Sequence, residues 1–193
     1  MSLTRTRLTA YAVAGFLMLT AADDVARAQQ EPRAQEQQQH EQNGETVEGP
    51  LARAVRQSTG SLRDVQAAVA AGYALSGGCV SGPEEGAMGV HYVNASLVGD
   101  GLVDAERPEA LVFEPRNGQL QLAAVEYIVL AEQWNASNPH PPVLQGQHFH
   151  LVSAPNRAGL PAYYELHVWA WKRNAHGTFA DWNPKVNCDA YVP

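Results

Sequence analysis

The segment ALVFEPRNGQLQLAAVEYIVL, residues 110–130, holds two apolar runs separated by Asn117-Gly118. A two-residue hairpin loop of type I′ needs positive φ at both central positions, which Asn and Gly accept at least cost. The segment therefore reads as an antiparallel hairpin in which Arg116 pairs with Gln119, Phe113 with Leu122 and Leu111 with Ala124. Alternate residues of a strand point to opposite faces. Counted straight along the chain, Glu126 shares a face with Leu120, Leu122, Ala124 and Ile128 and, across the hairpin, with Phe113 and Leu111. That face reads as core, so a carboxylate on it must be paired, protonated or bound to a metal. Two readings follow: a structural acid paired with an arginine such as Arg53 or Arg63, or a member of a site.

A second strand signal lies downstream in YYELHVWAW, residues 163–171. Alternation puts Tyr163, Glu165, His167, Trp169 and Trp171 on one face and Tyr164, Leu166, Val168 and Ala170 on the other. Glu165 and His167 then point the same way and can reach one ion or one substrate group, or simply bond to each other on a half-wet face. MGVHYVN is a further short strand, and its His91 is open to the same pair of readings. In GQHFHLV, His148 and His150 have the HxH spacing that puts two imidazoles on one side of an extended strand, a common way to chelate a transition metal. The glycine spacing that accompanies HxH in cupins is missing, so the pair reads equally as two surface histidines.

Upstream of the strands, PLARAVRQSTGSLRDVQAAVAAGY is the clearest helical region. Leu62, Val65 and Val69 recur at helical spacing, Ser61 and Asp64 have capping-box spacing, and Gly72 is placed to end the helix. A shorter helical segment precedes Gly60. With NASNPHPP as a loop and a turn-rich tail carrying Phe179 and Trp182, the order is α+β: an N-terminal helical region followed by a mostly antiparallel β-sheet.

The two ends of the chain bound its setting. Arg5, Arg7, the apolar LTAYAVAGFLML and Ala26-Arg27-Ala28 have the layout of an export signal over residues 1–28, with cleavage near Ala21 or Ala22 as an alternative. An apolar stretch of about a dozen residues falls short of the ~20 that span a bilayer. Residues 29–49 are rich in Gln and Glu and read as a disordered linker, in which His40 has no neighbouring ligands. Residues 50–193 have the size of a single globular domain, expected to be soluble in the periplasm or outside the cell. The chain has a net charge of −7 and no basic cluster, which argues against nucleic acid as a partner. No Lys/Arg-rich amphipathic helix suggests a membrane surface.

Both cysteines, Cys79 and Cys188, fall in the domain. In an exported chain they most simply form one disulfide, tying the segment entering the first strand to the extreme C-terminus. A metal role for the thiols lacks the CxxC spacing that would support it. HExxH, GxSxG, the Walker loop and GxGxxG are all absent.

GGCV, GAMGVHYVN, EALVFEP, AVEYIV and the long YYELHVWAWKRNAHGTFADWNPKVNC form a motif series over residues 51–193. This series resembles a family of small exported bacterial proteins without an assigned function. The resemblance implies an exported α+β domain, a Cys79–Cys188 bridge and shared polar positions at His91, Asn94, Glu126, Glu165 and His167. The family pattern carries no HxH where His148 and His150 stand, which moves the weight to His91, Glu126 and His167, with Glu165 assisting.

The functional expectation is a binding domain whose His91, Glu126 and His167 hold a divalent transition metal such as Zn²⁺, Cu²⁺ or Fe²⁺, with Glu165 as a fourth ligand or as a partner fixing the His167 tautomer. Tyr92, Tyr127, Tyr163, Trp169 and Trp171 are expected to wall a cavity for a small-molecule ligand. The alternatives are a small hydrolase or lyase using a His–Glu acid/base pair, and a structural module whose polar residues form a buried network.

Overall fold

The computed structural model describes residues 49–192. The export signal and all but the last residue of the linker lie outside the described residues. In chain order the elements are α1 (Pro50–Thr59), a 3₁₀ turn (Gly60–Leu62), α2 (Val65–Ala70), β1 (Ala74–Ser81), β2 (Ala87–Val93), α3 (Ala95–Val98), β3 (Ala110–Arg116), β4 (Gln119–Leu130), α4 (Ala131–Asn135), β5 (Val143–Leu144), β6 (Gln147–His148), β7 (His150–Val152) and β8 (Tyr163–Val168). Six strands form one sheet in the order β1-β2-β3-β4-β8-β7, and β5 and β6 pair separately. Every pairing is antiparallel. The fold is mostly β, with a few short helices.

Pro50 starts α1 at a position where its missing N–H is not needed. Leu51, Ala52, Val55 and Thr59 form its buried stripe. The capping expectation for α2 needs correction. Asp64 is itself the cap, accepting from the Gln66 and Ala67 amides, because Ser61 lies inside the preceding 3₁₀ turn. The buried residue of this short helix is Ala68, and Val69 is exposed, so the expected Leu62-Val65-Val69 stripe is only partly buried. Gly72 ends the helix at φ 93°, a left-handed conformation that favours glycine.

The central hairpin turns where expected. Asn117 and Gly118 both have positive φ, 51° and 73°. Arg116 pairs with Gln119 and Phe113 with Leu122, but Leu111 pairs with Val125 rather than Ala124. A bulge between Val112 and Phe113 on the β3 side places Ala123 as an extra residue in β4. One inserted residue reverses the facing of all that follow. Val125, Tyr127 and Val129 therefore join Leu122 in the main core under α1, while Ala124, Glu126 and Ile128 point the other way. Glu126 thus lies opposite Leu122, Leu111 and Phe113, not among them. The bulge is braced from β8's continuation: the Trp171 and Lys172 amides both donate to the Ala123 carbonyl at 3.1 Å.

The second face of the sheet is divided into three zones. At one end Ala87, Val112, Ala124 and Trp169 pack under Val186 of the C-terminal tail. At the other end Val98, Ala110, Ile128 and Tyr163 cluster. Parity along β2, β4 and β8 puts His91, Glu126, Glu165 and His167 between them.

The tail crosses this face. Ala87 and Asn183 exchange two backbone hydrogen bonds. The crossing is close enough that a Cβ on Gly86, at φ 90°, would lie 2.2 Å from the Asn183 carbonyl oxygen. Cys79 in β1 and Cys188 in the tail form the expected disulfide, with Cα atoms 5.7 Å apart. Trp171 departs from its expected face. The strand ends at Val168, so alternation stops, and the indole packs against the main core. There it lies beneath the guanidinium groups of Arg56 and Arg63, at 5.6 and 4.6 Å, and donates to Thr59 Oγ1 at 3.0 Å.

Glu109, immediately before β3, is only 3 % exposed and accepts from the Ile128 amide at 2.9 Å. Burial pushes its carboxyl up to about 8.

Two stability outcomes follow from these features. The disulfide closes a 109-residue separation, so the Cys79→Ser/Cys188→Ser double variant should lose about 2–5 kcal/mol in urea unfolding. For Glu109 the unfolded state ionises first, so stability falls as pH rises from the ordinary carboxylate range toward 8. Glu109→Gln keeps an acceptor for Ile128 and should gain about 2 kcal/mol at pH 7, a gain that vanishes near pH 4. A variant less stable than wild type at pH 7 would show that the carboxylate is held in its charged form.

Candidate metal centre

The sheet register brings the central side chains together. Glu126 on β4 is paired directly with His167 on β8, and Ile128 with Glu165. His91 on β2 lies two strands from Glu126, a span of roughly 9–10 Å between backbones. Between them the intervening β3 presents Ala110 and Val112 to this face, beside Glu126 and His91 respectively. Those short side chains let His91 and Glu126 meet above them, with Nε2 3.4 Å from Oε2. The same Oε2 lies 4.0 Å from His167 Nε2. The two imidazole rings stand perpendicular, 6.1 Å apart.

His167 is fully buried, and neither ring nitrogen has a hydrogen-bond partner. Its Nε2 faces Glu126, and its Nδ1 faces Asp181 Oδ1 at 3.5 Å, beyond effective bonding distance. A buried imidazole whose nitrogens face carboxylates only at 3.5 and 4.0 Å, without a close hydrogen bond, costs free energy unless something else meets them. One donor atom from each of His91, Glu126 and His167 lies within 4.8 Å of the others, close enough to share an ion. Ligands at the ~2.0–2.1 Å of a tetrahedral zinc site stand about 3.4 Å apart. The His91–Glu126 separation matches that spacing, and the His167 contact, at 4.0 Å, is longer and would have to close on an ion.

The electrostatics are those of opposed buried charges. Burial, and then the nearby His167, lower His91 to about 3, so it stays neutral at ordinary pH. Burial raises Glu126, and the adjacent Glu165 carboxyl raises it further. Burial alone would raise Glu165, but the His150 hydrogen bond and the His167 charge outweigh it and hold this carboxyl low. The two neighbouring acids are thus driven in opposite directions, Glu126 up and Glu165 down. Burial alone would lower His167, yet the Glu126, Asp181 and Glu165 carboxylates raise it to about 9.

The two HxH histidines fall in different strands. His148 lies in β6, exposed and paired with Val143, whereas His150 belongs to β7 in the main sheet. The strands break at Phe149, so the two imidazoles do not share one extended strand. His150 instead stands opposite Glu165, with Nε2 2.9 Å from Oε1, and lies 3.6 Å from Asp181 Oδ2. Asp181 comes from the tail loop, and nothing in the periodicity of GTFADWNP marks it. Its position is set by neighbours, among them the Trp169 indole, which donates to the Ala180 carbonyl at 2.6 Å.

The expected aromatic wall is only partly present. Tyr163 and Trp169 flank the polar zone, but Tyr92, Tyr127 and Trp171 pack in the main core on the other side. Tyr127 donates to the Ala105 carbonyl at 2.7 Å, which accounts for its hydroxyl. Asn94 is a helix cap, accepting from the Ser96 amide. Glu126 meets imidazoles, while Arg63 stacks on Trp171.

The lowered His91 carries a stability consequence. An imidazole kept neutral when folded but free to protonate when unfolded costs stability as pH falls through the ordinary histidine range toward 3. In metal-stripped protein, His91→Gln should reduce the stability lost between pH 7 and pH 4.5 by about 2 kcal/mol, read by urea unfolding at both pH values. An unchanged acid limb would contradict the burial argument. No family model, curated protein or solved structure matches the chain.

Proposed function

We propose that the chain is an exported binding protein for a divalent transition metal, held by His91, Glu126 and His167. The observation that carries this reading is the fully buried His167, whose ring nitrogens lack hydrogen-bond partners while its Nε2 faces the other two donors. Two imidazoles and one carboxylate suit Zn²⁺, Cu²⁺ or Fe²⁺ and leave a coordination position for water or a small ligand. Asp181 stands where a carboxylate would orient His167 through Nδ1, leaving Nε2 for the ion. Glu165 beside Glu126 favours the protonated form of that carboxyl, the proton whose place an ion would take. Export is supported by the disulfide, a bond that persists in oxidising compartments. Among the described residues, no helix is long and apolar enough to cross a membrane.

The ion must displace the protons that Glu126 and His167 hold when metal-free. Apparent Zn²⁺ affinity should therefore fall by roughly 10- to 100-fold per pH unit between pH 8 and pH 6, measured by competition with a chromophoric chelator. His91→Ala and His167→Ala should each abolish the tight, pH-dependent component. A folded wild type that takes up no Zn²⁺, Cu²⁺ or Fe²⁺ at pH 8 would leave the buried network as a purely structural feature.

A further inference from the structure

We infer that the centre has a second cation position, ligated by His150, Glu165 and Asp181 at the rim of the buried trio. This inference rests on the metal reading above and extends it to two ions. One donor atom from each of these residues lies within 4.8 Å of the others, on the same criterion that gathers the buried group. The donors are His150 Nε2, Glu165 Oε1 and Asp181 Oδ2, with the imidazole 2.9 Å from Glu165 and 3.6 Å from Asp181.

His167 links the two groups of donors. It is fully buried, its two nitrogens lack hydrogen-bond partners, and it stands between the groups with one nitrogen toward each. Asp181 serves both sides: Oδ1 faces His167 Nδ1, while Oδ2 faces His150. Glu126 and Glu165 touch in the same way from opposite sides of the join. Two carboxylates in contact, with a third beside them, repel one another when all are ionised. A cation on each side offsets that repulsion better than one ion can.

Exposure grades across the pair. The His150 side chain is 51 % exposed and Asp181 30 %, against 7 % for Glu126 and 0 % for His167. The rim position is thus the one that water and incoming ions reach first. One imidazole and two carboxylates form a harder donor set than two imidazoles and one carboxylate, so the rim suits Zn²⁺ or Mn²⁺ and is the weaker site for Cu²⁺.

The test uses the full chain without an affinity tag, stripped with chelator and titrated with Zn²⁺ at pH 8. Bound metal is counted by mass spectrometry after desalting. Wild type should retain two equivalents, and His150→Gln and Asp181→Asn should each retain one. His91→Gln should lose the buried ion and keep the one that depends on His150. Two rim variants are used because a folding defect in one would not recur in the other, and circular dichroism confirms each fold. A single equivalent in wild type that both rim variants preserve overturns the second position while sparing the buried one. A single equivalent lost in His150→Gln but kept in His91→Gln supports the rim site and overturns the buried reading. No retained metal in a folded wild type overturns both.

Discussion

A carboxylate placed among Leu111, Phe113 and Tyr127 would have no partner, and the extra residue at Ala123 prevents that outcome. The bulge reverses the facing of β4 midway, so the first half of the strand supplies Leu122 to the main core while the second half presents Glu126 to the other face. The Trp171 and Lys172 amides occupy the carbonyl that the bulge exposes, and Lys172 is anchored in turn by the Glu114 carboxylate at 2.6 Å. The same bend that ends β8 at Val168 thus braces the irregularity in β4. Without it, one side of the sheet would contain an unpaired charge and the other would lack its acid.

Once Glu126 faces away from the main core, the rest of the centre follows from sheet geometry. His167 is its register partner, Glu165 lies two residues along, and small residues on β3 let His91 reach over. Apolar clusters on both flanks keep water away, so each charge acts on its neighbours at short range and low dielectric. The opposed shifts of His91 and His167 show the balance. The two rings differ chiefly in how many carboxylates stand beside them.

Local chemistry made much of this legible beforehand. Asn117-Gly118 declared its turn, the two cysteines their bridge, and alternation in YYELHV the shared face of Glu165 and His167. What stayed hidden depended on events between distant segments. A bulge has no signature in LQLAAVE, because any of several residues could be the one looped out, so straight alternation puts Glu126 on the wrong face while its burial is legible. Trp171 was assigned by an alternation that had already ended. HFH looked like one chelating strand, yet its two imidazoles belong to different sheets. Asp181 is an aspartate in a turn-rich loop, and only the crossing of the tail over β2 gives it a role. Glu109 carries no sequence signal of its burial because it precedes its strand, where acids are usually solvated.

The stretch that delivers Asp181 is fastened on both sides, by the Trp169 indole just before it and by the join between Cys188 and β1 just after. The second fastening is chemical and must be made after synthesis. With the thiols unjoined, the stretch keeps the Trp169 contact and the paired backbone bonds of Ala87 and Asn183 but loses its covalent tie. Whatever the tail holds against the sheet is therefore fixed more firmly in an oxidising compartment than in a reducing one.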